Sequence, residues 1–76
     1  MKDILTDIAR RLVRNPDDVT VNEKESGDTV VLQLSVAKED MGRVIGRHGK
    51  IARAIRSIMK VAASLEDKKV IVDIVD

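Results

Sequence analysis

Two glycines, Gly46 and Gly49, interrupt a part of the chain whose other residues favour helix. Glycine adopts positive φ values readily and has no β-carbon, so it suits positions where the backbone reverses or where two segments approach closely. We therefore expect two helices separated by the turn Gly46-Arg47-His48-Gly49, rather than one continuous helix.

The basic residues are concentrated around this turn. Residues 41–60 carry a formal charge of +6 and no acid, whereas residues 1–40 carry −3 and residues 61–76 carry −2. A merely solvated helix usually mixes signs and gains from ion pairs between neighbouring turns. A local positive field of this kind favours binding of an anionic polymer, and hence of nucleic acid. The segment holds the only histidine, His48, and six bases: Arg43, Arg47, Lys50, Arg53, Arg56 and Lys60.

The composition is that of a folded domain, with 43% apolar and 36% charged residues. A chain of 76 residues has room for one domain, which we expect to span residues 1–76. No apolar run approaches the roughly 18–20 residues that span a bilayer. Two acids, Asp3 and Asp7, lie where a signal peptide would be basic and then apolar. We therefore expect a cytoplasmic protein with no membrane association.

Several kinds of chemistry have little support in this sequence. There is no cysteine, the single histidine has no Ser or Asp near it in sequence, and the acids fall in expected exposed turns and helix starts. We expect no catalytic residue, no metal and no cofactor. The lack of Phe, Trp and Tyr also excludes stacking of bases on aromatic rings. Nucleic-acid contacts must then use charge, backbone amides and aliphatic surface.

The apolar spacing predicts the elements. A helix runs to about Arg14 and ends at Asn15-Pro16, because proline disfavours helical geometry in the preceding residue. Alternating residues 19–36 form a hairpin around a turn at residues 26–28. A short helix precedes Gly46, and residues 70–75 form a strand that we expect at a sheet edge.

The longer helix after Gly49 has two contrasting faces. At about 100° per residue one arc is basic, formed by Lys50, Arg53, Arg56 and Lys60. We expect the opposite arc to be buried, and it holds Ile51, Ile55, Ile58, Ala62 and Leu65.

The resulting order is α-β-β-α-α-β. A hairpin followed by a helical crossover places the third strand parallel to the second. The predicted fold class is therefore α+β, with a three-stranded mixed sheet and helices packed on one face.

The segment Val44-Ile45-Gly46-Arg47-His48-Gly49-Lys50, followed by Arg53 and Ile55, resembles the (V/I)-I-G-x-x-G signature of KH domains. The order of elements is that of the type II, bacterial form, and the resemblance covers nearly the whole chain. More narrowly, residues 39–50, the turn at residues 15–17 and the end at residues 72–76 are similar to the small bacterial proteins of the KhpA family.

The resemblance implies a function. KhpA-family proteins are described as chaperone-like RNA-binding proteins that self-associate and join a larger KH-containing partner, with a role in cell shape and envelope homeostasis. Such glycine turns clamp the backbone of about four nucleotides of single-stranded RNA. Bases are expected to lie between the helix that begins at Lys50 and the strand at residues 30–36. The residues expected to bind RNA are Gly46, Arg47, His48, Gly49, Lys50, Arg53, Arg43, Val44 and Ile45. Ala52 replaces a common branched aliphatic residue, which predicts a shallow groove and low sequence specificity.

Two other functions stay open on sequence alone. The short length and the apolar final strand suit a protein-assembly module that forms a homodimer. Two helices around a glycine turn also suit a helix-turn-helix that binds duplex DNA. A P-loop is excluded, because only Arg47 and His48 separate the glycines and Ile51, not Ser or Thr, follows Lys50.

Overall fold

A computed structural model describes residues 1–75 and consists of a β-sheet with helices on one face. The elements of these residues, in chain order, are α1 (Lys2–Leu12), β1 (Thr20–Ser26), β2 (Thr29–Ser35), α2 (Met41–Ile45), α3 (Lys50–Leu65) and β3 (Lys69–Val75). Short 3₁₀ turns lie at Pro16–Asp18, Lys38–Asp40 and Arg47–Gly49. The predicted α-β-β-α-α-β order is confirmed. Asp76, the last residue of the predicted domain, lies outside the described residues.

The strands of residues 1–75 form one sheet in the order β1-β2-β3. β1 and β2 are antiparallel, and Gly27 and Asp28 connect the paired residues Ser26 and Thr29. β3 lies parallel to β2. This direction follows from the connection through α2 and α3, which returns the chain to the end of the sheet at which β2 begins. The mixed sheet and the edge position of β3 were both predicted correctly.

The core is aliphatic and lies between the sheet and the helices. Alternate residues of the central strand, Val30, Leu32 and Leu34, are fully buried. They pack with Leu5 of α1 and Met59 of α3 in one cluster. Each such side chain contributes about 1.5–3 kcal/mol when it leaves water. This alternation confirms the predicted hairpin with one buried face.

Helix α1 ends two residues earlier than predicted. Val13 is already extended, with φ −102° and ψ 161°. The N–H groups of Arg14 and Asn15 donate to the carboxylate of Asp40, over 3.2 and 3.0 Å, instead of to carbonyls of the preceding turn. A side chain distant in sequence therefore terminates the helix, ahead of the proline.

The face that α3 buries differs from the predicted one. The buried residues are Ala52, Ile55, Met59 and Ala63. Their mean direction is rotated about 85° around the helix axis from the predicted apolar arc. Ile58 is therefore 48% exposed and Leu65 83% exposed. Within residues 1–75, neither α3 nor any other helix combines the length and hydropathy needed to cross a membrane.

Candidate nucleic-acid interface

The turn between α2 and α3 contains three residues with positive φ. The φ values are 76° at Gly46, 56° at His48 and 72° at Gly49. The N–H of Gly49 donates to the carbonyl of Gly46 over 3.1 Å and closes the turn. Arg47 and His48 are exposed between the glycines. The prediction that the glycines serve a tight backbone reversal is confirmed.

Gly46 is required for a second reason. A β-carbon at this position would lie 2.6 Å from Cγ1 and 2.8 Å from Cβ of Ile51, and 2.9 Å from its main-chain nitrogen. Such distances are shorter than van der Waals contact, so the first turn of α3 packs directly on the bare backbone of Gly46. The Gly46–Gly49 turn is thereby fixed to the start of α3.

Arg53 supports the turn from the helix. Its Nη2 donates to the main-chain oxygen of His48 over 2.6 Å, and its Nε donates to that of Gly49 over 3.5 Å. The sequence predicts Arg53 as an RNA contact, and the structure gives part of its guanidinium to the turn. The side chain of Arg53 is exposed, so its remaining N–H donors are accessible to a ligand.

Arg43 has a counter-ion from outside residues 41–60, a segment that itself contains no acid. Its Nε lies 3.4 Å from Oδ1 of Asp40. The two residues are three apart at the start of α2, a spacing that brings side chains together on a helix. Arg43 is therefore partly neutralised, although its side chain stays partly exposed.

Asp40 is fully buried, although the acids were predicted to lie at exposed positions. Burial alone would raise the pKa of its carboxyl. Hydrogen bonds from the Asn15 side chain and from the main chain of Arg14 and Asn15, together with the charge of Arg43, instead hold the pKa below its ordinary value. The carboxylate thus joins the end of α1 to the start of α2. Its spacing from Arg43 was the available signal in the sequence.

The two aliphatic residues predicted to line the RNA groove have different surroundings. Val44 is fully buried in the core, so its predicted place on an open groove is wrong. The cause is helical spacing, which turns Val44 towards the core and Ile45 towards the surface. Ile45 is 39% exposed beside Gly46 and offers an apolar contact to a ligand.

One flank of α3, which we call the basic flank, consists of Arg53, Arg56 and Lys60. Nε of Arg56 donates to the main-chain oxygen of Val72 over 3.2 Å, so this flank faces the edge strand β3. The open cleft beside α3 therefore lies against β3. The prediction had placed it against residues 30–36. β2 is the central strand, and its inward side chains are covered by the helices.

Sequence reasoning also missed the residues of β3 that border this cleft. The connection between α3 and β3 consists of Glu66, Asp67 and Lys68 alone. So short a connection forces the strand to run back alongside the helix. The predicted boundaries of the two elements contained this signal.

The fold and the glycine turn together define a type II KH domain. A family model described as KhpA/KhpB, KH domain, matches residues 2–74. The chain therefore belongs to the KhpA/KhpB KH-domain family, as the sequence resemblance indicated.

Relatives of similar length support this assignment. The chain is 49% identical over 75 residues to the RNA-binding protein KhpA of Clostridium perfringens, covering 99% of this chain and 100% of that protein. It is 41% identical over 76 residues to the RNA-binding protein KhpA of Listeria monocytogenes, covering 100% of both. For the RNA-binding protein KhpA of Treponema pallidum the identity is 40% over 75 residues, with 99% and 94% covered.

A solved structure shares the fold. It is the crystal structure of Era in complex with MgGDPNP and nucleotides 1506–1542 of 16S ribosomal RNA, with a TM-score of 0.68 and 19% sequence identity. The match covers 96% of this chain and 28% of the Era chain. At this identity the likeness concerns the fold alone.

Proposed function

We propose that this protein binds single-stranded RNA in the cytoplasm, with low sequence specificity, through the Gly46–Gly49 turn and the adjoining part of α3. Backbone amides of the turn face the ribose-phosphate chain, and Ile45 contacts a base. The side chains assigned to phosphates are Arg47, His48, Lys50 and, more weakly, Arg43, and Arg53 supports the turn from α3. The protein acts without catalysis, metal or cofactor.

The observation that carries this proposal is the exposed turn at the start of a long helix. The free N–H groups at a helix N-terminus and its positive dipole favour a phosphate. Arg47, His48 and Lys50 are exposed beside them. Within residues 1–75, none of these three side chains forms an ion pair with an acid of the chain.

The relatives support the same function. The Clostridium, Listeria and Treponema proteins carry the name RNA-binding protein KhpA. The Era structure with the same fold contains a segment of 16S ribosomal RNA.

We extend the proposal to an RNA-chaperone role in post-transcriptional regulation linked to cell shape and envelope homeostasis, as the family resemblance suggests. Low specificity fits the proposed contacts, because contacts to the phosphate backbone carry no sequence information. A strand-annealing assay tests the chaperone activity. Microscopy of cells that lack the gene tests the link to cell shape, which normal morphology would contradict.

The direct test replaces Arg47 and His48 by aspartate. We expect RNA affinity to fall more than tenfold, with an unchanged circular dichroism spectrum and Tm, because both side chains are exposed. The variant K2D/R10D makes a comparable charge change on α1 and should bind nearly as the wild type does. Unchanged affinity in R47D/H48D would reject the proposal. Competition with a duplex DNA of equal charge distinguishes this function from a helix-turn-helix, which would prefer the duplex.

A second candidate function is assembly, either as a homodimer or with a larger KH-containing protein. The supporting observation is the apolar flank of α3, formed by Ile58, Val61 and Leu65, which are all exposed at helical spacing. Its exposure suits contact with a second apolar surface. Sedimentation at micromolar concentration should show a dimer that the exchange V61D/L65D converts to monomer. A monomeric wild type at every concentration would exclude the homodimer.

A further inference from the structure

A cleft of about 710 Å³ lies at the end of α3 that is farthest from the Gly46–Gly49 turn. Its apolar lining includes Ala63 of α3 and Val70 and Val72 of β3. Arg56, Lys60 and Lys69 also line it and add positive charge. Apolar walls with a few cations suit a ligand that has flat apolar parts and anionic groups, as a nucleotide has.

The basic flank connects this cleft with the turn. Arg56 and Lys60 are one helical turn apart, about 6 Å along the axis, and Lys60 lies about 16 Å along the axis from Gly49. The turn itself clamps about four nucleotides. An extended strand that leaves the turn along the basic flank therefore reaches the cleft within a few more nucleotides.

The charges around the cleft indicate which of its residues suit a phosphate and which repel one. In the part of the chain that the structure describes, Lys60 and Lys69 form no ion pair. Lys68 is already engaged, because its Nζ lies 2.9 Å from Oε1 of Glu25. Asp28 and Asp67 also line the cleft and repel phosphates.

We propose that this cleft is a second subsite for the same RNA strand, which holds one or two nucleotides beyond those clamped by the turn. Bases enter the apolar lining, and Lys60 and Lys69 bind their phosphates. The inference rests on the proposed RNA-binding function. A peptide added to the edge of β3 fits less well, because Arg56 already takes the main-chain oxygen of Val72 that a new strand would use.

The test compares two mixed-sequence single-stranded RNAs, of four and nine nucleotides, by NMR titration and fluorescence anisotropy. The variant K60Q/K69Q should weaken binding of the nine-nucleotide RNA five- to tenfold and leave the four-nucleotide RNA unchanged. For the nine-nucleotide RNA, the slope of log Kd against log salt should fall by about 0.7 for each phosphate that the variant no longer neutralises. The control K2Q/K24Q removes the same charge elsewhere and should change neither affinity more than twofold.

A second variant, S64E, places a carboxylate in the cleft from an exposed helical position and should give the same length-dependent loss. The amides of residues 69–72 should shift with the long RNA only. Equal losses for both RNAs, or no loss in either variant, would overturn the second subsite. In that case a peptide on the β3 edge becomes the better occupant. If neither RNA binds the wild type, the proposed function itself fails.

Discussion

The guanidinium of Arg53 donates a 2.6 Å hydrogen bond to the main-chain oxygen of His48, a non-glycine residue with a positive φ of 56°. A left-handed conformation costs a residue with a side chain about 1–2 kcal/mol. A hydrogen bond from a charged donor contributes about 1.5–3 kcal/mol, enough to offset that cost. The first turns of α3 thus stabilise the conformation that exposes the His48 side chain.

The first prediction follows for Arg53. R53Q should lower RNA affinity by loosening the Gly46–Gly49 turn, while the dependence of log Kd on log salt stays the same. K50Q should instead reduce that slope by about 0.7, the value for one phosphate contact on a single strand. Anisotropy titrations over a series of salt concentrations measure both. A reduced slope in R53Q would assign Arg53 to a phosphate and remove its supporting role.

The second prediction concerns three glycines. G46A should lower the free energy of unfolding by about 3 kcal/mol, because it adds a strained φ and a clash with Ile51. G49A should cost about 1 kcal/mol, since only its φ is unfavourable. G42A, inside α2 with open space around it, should stabilise the protein by up to about 1 kcal/mol. Urea unfolding gives this order, and a harmless G46A would contradict the close packing on Ile51.

The third prediction tests the buried face of α3. I55A should lower the free energy of unfolding by about 2–5 kcal/mol, as expected for a buried isoleucine. I58A should cost less than about 1 kcal/mol in the monomer, because half of its side chain is already in water. Denaturant titration at low protein concentration compares them. Equal losses would favour the arc predicted from the sequence.

The fourth prediction concerns pH. The pKa of Asp40 is lowered in the folded protein from an ordinary value of 3.8, so its ionised form stabilises the fold above that pH. This stabilisation should disappear as the pH falls through the lowered pKa. D40N should reduce Tm at pH 7 by about 10 °C and flatten its fall in acid. D17N, at an exposed position, is the control. An unchanged acid profile in D40N would show that other carboxyls govern it.

Much of the fold could be predicted because its signals are local. Alternation in residues 30–36 depends on the two-residue period of a strand, and the turn at Gly46 on the freedom of glycine. The crossover rule then decides the direction of β3. These features need no knowledge of distant contacts.

The errors arose where distant residues decide. Helical periodicity gives the positions of the apolar residues around the axis of α3. Packing against the rest of the fold decides which of these residues are buried. Ala52 and Ala63 are buried, whereas Ile58 and Leu65 are left exposed. The burial of Asp40 depends on N–H groups that lie 25 and 26 residues away in sequence. The position of the cleft likewise depends on contacts between α3 and β3, such as the hydrogen bond from Arg56 to the main-chain oxygen of Val72.

The basic and apolar flanks of α3 are separated by roughly 140° around the helix axis. Two copies joined through their apolar flanks would consequently carry their clefts on outward surfaces, both free. One strand long enough to reach both would bind bivalently, with an effective concentration in the millimolar range for the second contact. Weak RNA affinity in each subunit would then be enough for tight binding of long transcripts, while short fragments would dissociate rapidly.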